Sequence, residues 1–157
     1  MKRLAIVPLL LCIAACASPR AGSTQVNVQP GHGAISMQVV PNPVVAHNVG
    51  GSTYEFPFDV IVRETAGRPV TVDRVSADVY ALGGIHVANE TYDASRIRSL
   101  GYSTTVPANG ELHYHFTPRE SVTDERLFSG VSAQVRVDAH DDTNTPTSTT
   151  VTVTVTR

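Results

Sequence analysis

The chain has 157 residues, with twelve basic against fourteen acidic side chains and a formal net charge of −2. Nucleic acid and anionic lipid both call for clustered positive charge, so this balance disfavours either as an electrostatic partner. Tryptophan is absent and phenylalanine scarce, which leaves little material for a broad aromatic sugar-stacking platform.

The N-terminus opens with Lys2 and Arg3 and continues as an apolar run from Leu4 through Cys12 and Ile13. That run falls well short of the roughly 20 residues a membrane-spanning helix needs, so it reads as a secretory signal. At its end stands Ile13-Ala14-Ala15-Cys16, which resembles the lipobox of bacterial lipoproteins. The resemblance implies that residues 1–15 are removed as a signal peptide and that the Cys16 thiol carries a diacylglyceryl group, with a further acyl chain on its amine. At about 0.8 kcal/mol per buried CH₂, two chains already hold a protein on a bilayer. Ala17 follows the cysteine where Asp often retains such proteins at the inner membrane, so the resemblance favours the outer membrane in a host that has two. The implied address is the cell envelope, on the periplasmic or surface face, with the membrane engaged through Cys16. Cleavage leaves Cys16 as the sole cysteine, so no intramolecular disulfide can form and stability must come from packing.

Residues 16–33 are small, polar and punctuated by Gly and Pro, the composition of a flexible tether. Residues 34–157 then show period-two alternation, the pattern of strands buried on one face. Ile35, Met37 and Val39 form the first set, closed by Pro41-Asn42-Pro43. Tyr54, Phe56, Phe58, Val60 and Val62 form a longer one, in which Pro57 predicts an edge position or a bulge. After the turn Thr65-Ala66-Gly67-Arg68-Pro69 come Val70 and Val72, then Val75, Ala77, Val79 and Ala81. The phase slips at Asp73-Arg74, which predicts a β-bulge. Gly83-Gly84 closes that strand. Ile85 and Val87 suit a short strand, and the segment from Ala94 to Leu100 suits a helical turn or loop. Pro107-Ala108-Asn109-Gly110 is a turn signal ahead of Leu112, Tyr114 and Phe116. A polar crossover with one helical turn leads to Val131, Ala133, Val135, Val137 and Ala139, and Val151, Val153 and Val155 complete a terminal hairpin.

About seven short strands without a helical period predict an all-β, two-sheet antiparallel β-sandwich. The segments Phe56-Pro-Phe-Asp-Val-Ile-Val-Arg-Glu-Thr-Ala-Gly, Pro107-Ala-Asn-Gly and Val137-Asp-Ala-His-Asp-Asp-Thr-Asn resemble immunoglobulin-like or fibronectin-type-III-like modules of bacterial surface proteins. They are strand and turn signatures, so the resemblance implies a fold and carries no catalytic residue. The paired Cys and the Trp of antibody domains are absent.

Two clusters carry possible chemistry. His113 and His115 are two apart on one strand and share its solvent face, a spacing that can clamp zinc or copper if His86, His140 or a carboxylate supplies a third ligand. A polar outer strand face gives the same pattern. Asp138, Asp141, Asp142 and Asn144 offer hard oxygens of the kind calcium uses, although the run lacks the spacing of the twelve-residue calcium loop and also suits hairpin turn chemistry. No Gly-x-Ser-x-Gly elbow, His-Glu-x-x-His or phosphate-cradling loop occurs in the sequence. The expected function is therefore a non-catalytic interaction or accessory module that needs no cofactor and meets an envelope protein partner. An envelope metal-binding protein is the alternative.

Overall fold

The computed structural model describes residues 30–157, and the expected signal peptide, Cys16 and most of the tether lie outside them. The fold is an immunoglobulin-like β-sandwich, antiparallel as expected except where the two-residue β2 pairs with β12 in parallel. One layer is a sheet of order β2-β12-β11-β6-β7, built from β2 (Val44–Val45), β12 (Pro146–Thr156), β11 (Ser132–Asp141), β6 (Val70–Ala81) and β7 (Ile85–Asp93). The short β8 (Thr105–Val106) pairs with Val70 and Thr71 of β6, beyond the end of β7. Two three-stranded sheets make up the rest. The first has the order β1-β5-β9, from Ile35–Val40, Phe58–Glu64 and Glu111–Phe116. The second has the order β10-β4-β3, from Arg119–Ser121, Thr53–Glu55 and His47–Gly50.

Alternation explains the core. Ile35, Met37 and Val39 of β1, Val60 and Val62 of β5, and Tyr114 and Phe116 of β9 are buried. They form one apolar cluster with Val72 and Val75 of β6, Val135 and Val137 of β11, and Val151 and Val153 of β12. Phe116 anchors an aromatic group, stacked on Tyr92 at 4.1 Å between centroids and tilted against Phe58 at 5.7 Å. Such pairs add to plain area burial.

The bulge predicted at Asp73-Arg74 is present: Asp138 faces Arg74 and Ala139 faces Val72, so Asp73 is the extra residue. The terminal hairpin forms in unbroken register, with Val135 opposite Val151 and Ala133 opposite Val153. The segment around residues 85–100 is more regular than expected. It forms the nine-residue β7 and a short helix α1 (Ala94–Ser99), which Asp93 caps by accepting from the Arg96 amide at 2.7 Å.

Pro57 acts differently from the expectation. Tyr54 to Val62 is not one strand lying at an edge; the strand breaks at Phe56-Pro57, and β4 and β5 are the central strands of two different sheets. A proline without an N–H cannot continue the ladder. Phe56 instead donates its amide to Pro118 across the break, at 3.0 Å. The alternation survives the switch, which keeps Tyr54 and Phe58 buried on the same side as Val60.

Candidate functional site

The two ends of the sandwich differ in chemistry. At one end the chain enters through residues 30–33, beside the β11–β12 turn and the β5–β6 turn. Gly33 donates its amide to Asp141 Oδ2 at 3.0 Å, and the Gly31 carbonyl accepts from Arg68 at 2.8 Å. The last residues assigned to the tether are therefore fastened to the domain. Two buried carboxylates organise this end. Asp141 accepts from the Thr143 hydroxyl and from the amides of Gly33, Thr143 and Thr145. The Thr143 hydroxyl first, and then those amides, hold its carboxyl well below the usual range despite burial. Glu64 accepts from the amides of Ala66, Gly67 and Asn109, which ties the β5–β6 turn to the Pro107-Gly110 turn. Burial pushes its pKa up, but the amides of Asn109, Ala66, Gly67 and Arg68 outweigh burial and hold it below the ordinary value.

This arrangement separates the four residues considered as calcium donors. Asp141 is occupied as a turn organiser, whereas Asp138 lies on the outer sheet face between Arg74 and Arg136, 2.7 Å from each. Asp142 pairs with Arg68 at 2.6 Å, and Asn144 occupies a left-handed turn position at φ 61°.

His113 and His115 do emerge on the outer face of β9, as alternation requires. Each faces a carboxylate: His113 Nε2 lies 2.9 Å from Glu111 Oε1, and His115 Nδ1 lies 2.6 Å from Asp59 Oδ1. The other histidines considered as third ligands are on strands of the opposite layer, His86 beside Asp78 on β7 and His140 beside Asp73 on β11. His47, which no spacing pattern singles out, shares a shallow hollow of about 240 Å³ with Asp59 and His115. Among the described residues, no group of three or more His, Cys, Asp or Glu side chains is arranged to hold a metal ion.

The opposite end of the sandwich is apolar and open. Here β6 and β7 meet at Gly83-Gly84, and the crossover between β10 and β11, with its 3₁₀ turn Glu125–Phe128, folds against the inner face of the large sheet. Between them lies a cavity of about 250 Å³ whose walls include Phe56, Phe58, Ala77, Val79, Phe128 and Val131. Val87 and Leu127 of its lining are about half exposed, and Asn89, Glu90, Glu120, Ser121 and Thr123 line it as well. Next to it in the chain, Leu82 after Ala81 is 74% and Ile85 64% exposed. A bulge at Val87 interrupts β7, where Ala88 faces Val79 but His86 faces Tyr80.

Sequence reasoning missed this feature. Alternation assigns Phe56 and Phe58 to the core, and composition makes the crossover polar with one helical turn, so neither points to a cavity. The available signal was the placing of Leu82, Leu127 and Phe128 in a turn and a crossover, where solvent-facing chain has no use for large apolar side chains.

No protein-family model matches the chain, and no curated protein matches it significantly. Solved structures do share its shape. The Northeast Structural Genomics Consortium target SoR45 superposes with a TM-score of 0.56 at 8% identity, over 82% of this chain and 90% of that one. The putative ApaA protein from Bordetella pertussis gives a TM-score of 0.47 at 9% identity, over 88% and 98%. The CARDB domain of a Pyrococcus furiosus protein gives 0.37 at 15% identity, over 80% and 96%. At these identities the likeness concerns the fold alone.

Proposed function

We propose that this protein is a lipid-anchored β-sandwich module of the bacterial cell envelope that works by binding and not by turnover. Cys16 holds it on the membrane, in the outer membrane of a two-membrane host, and its apolar end meets an envelope partner. The observation that carries the reading is the polarity of the domain. Residues 30–33 join the sandwich at the Asp141 end, while the cavity with Leu127 in its wall, and the exposed Leu82 and Ile85 beside the β6–β7 turn, lie at the other. Strands β6, β11 and β12 run between these ends. At about 3.3 Å per residue, the twelve residues of β6 span close to 40 Å, so a module tethered at residue 30 carries its apolar end away from the bilayer.

Exposed apolar clusters of this kind mark interaction surfaces more often than they mark inert ones. The test is site-specific photo-crosslinking in intact cells, with the photoreactive residue at Ile85 or, as a control, at Asp142. The proposal expects a discrete adduct from position 85 and none from position 142. Adducts from position 142 alone, or from neither position, would contradict it.

A further inference from the structure

We infer that the cavity between β6, β7, β11 and the crossover is a binding site for a single alkyl chain bearing a neutral polar head. The inference rests on the apolar end proposed above as the binding end, but it does not depend on lipidation of Cys16.

Four features define the ligand. The first is shape. The cavity follows the inner face of β6 from Ala77 to Ala81, four residues or about 13 Å of strand, within the roughly 10 Å that separates packed sheets. A cavity that runs along a strand in this way can take an extended chain laid beside β6. The second is size. At about 250 Å³ it exceeds the roughly 150 Å³ of apolar cavities known to take benzene.

The third feature is the lining. Ala77 and Ala81 on β6, Ala88 on β7 and Ala133 on β11 stand at inward positions that carry valine elsewhere on β6 and β11, and this keeps the floor open. Its polar lining is Asn89, Glu90, Glu120, Ser121 and Thr123, and the buried side-chain atoms without a hydrogen-bond partner among the described residues, His32 Nδ1 and Thr149 Oγ1, lie outside it, so no buried orphan there calls for a polar ligand atom. Walls with no atoms opposite them forfeit dispersion contacts that a hydrocarbon would restore.

The fourth feature is charge at the mouth. Glu90 and Glu120 both stand at the border of the cavity. Glu90 is paired with Arg96 at 2.7 Å, whereas Glu120 has no cationic partner among the described residues. The uncompensated carboxylate disfavours an anionic head group, so an alcohol or a monoacylglycerol is expected to bind better than a fatty acid.

The probes are 1-decanol, monodecanoylglycerol and decanoate, each below its aggregation concentration, added to the full chain carrying Cys16→Ala so that no acyl group of its own competes. Binding is read by native mass spectrometry and by the shift in melting temperature. The two neutral probes should give one-to-one adducts and raise the melting temperature, with decanoate weaker by about tenfold, near 1.4 kcal/mol. Ala77→Leu, which fills the floor, should abolish the adducts without lowering the melting temperature of the free protein. Leu127→Asp, at the half-exposed wall, should weaken them with the fold intact, and it keeps the test decisive if Ala77→Leu does not fold. Absence of adducts with the neutral probes, equal binding of decanoate, or undiminished binding by a folded Leu127→Asp variant would overturn the inference. Because the protein is purified and unacylated, none of these results bears on the envelope address.

Discussion

Gly33 and Asp141 are 108 positions apart in sequence, yet the amide of one donates to the carboxylate of the other at 3.0 Å. The approach requires glycine. A Cβ on residue 33 would fall 2.8 Å from the Cβ of Asp141 and 2.7 Å from Val70 Cγ1, inside the limit of real contacts. Gly33→Ala should therefore push the entering chain off the β11–β12 turn and destabilise the domain by roughly 1–3 kcal/mol, the usual cost of overpacking. Urea denaturation measures this as a lower midpoint at unchanged slope.

The same carboxylate predicts acid sensitivity. The folded pKa of Asp141 lies below its ordinary value of 3.8, and that of Glu64 below 4.5. A depressed folded pKa contributes stability that is fully present above the unfolded value and lost as pH falls through the folded one. The melting temperature should thus decline as pH drops below about 4.5 and go on declining well under 3.8. Asp141→Asn should start from a lower melting temperature at neutral pH and lose less on acidification. Parallel melting curves for the two proteins across pH 7 to pH 3 would contradict this role.

Much of the scaffold was legible because a single physical rule wrote it. Ile35, Met37 and Val39, then Ala133 through Ala139, then Val151, Val153 and Val155 alternate because one face is buried, and each set forms the strand its period predicts. The phase slip at Asp73 was equally readable, since only an extra residue reconciles Val72 with Val75 on one face. What periodicity cannot report is which strands share a sheet. Tyr54 and Phe58 keep phase across Pro57 although the backbone changes sheets there, so side-chain pattern alone shows one strand where there are two. The site was less legible still. Whether His113 meets His140 or Glu111 is decided by layer pairing, and the apolar cavity depends on a crossover whose closeness to Ala77 and Val79 leaves no periodic trace.

Phe116 tests the core. It is 1% exposed and contacts the rings of Tyr92, Phe58 and Tyr114, so Phe116→Ala removes one side of three aromatic pairs as well as the buried area. The expected loss is about 3–5 kcal/mol. Leu112, on the same strand and only partly buried, should cost clearly less when truncated to Ala. Chemical denaturation of the two variants gives the comparison, and equal losses would argue against this placement of β9.

Asn109 tests the turn that links the two halves of the polar end. Its φ of 55° is left-handed, and its amide donates to buried Glu64 at 2.8 Å. Asn109→Ala should cost about 1–2 kcal/mol, because a Cβ-bearing residue without a short polar side chain is strained there. Asn109→Gly should cost much less and keep the amide in place. The difference between the two variants, read from their thermal unfolding, isolates backbone strain from the hydrogen bond to Glu64.

The central claim is that this β-sandwich is held at the cell envelope through Cys16, and the most direct measurement is intact-mass spectrometry of protein extracted from membranes, wild type beside Cys16→Ala. The account predicts a wild-type chain that begins at Cys16 and carries a lipid-sized mass increment on that residue, with the Cys16→Ala protein lacking the increment and leaving the membrane fraction. A wild-type chain with an unmodified Cys16 thiol, recovered as freely soluble protein, would contradict it.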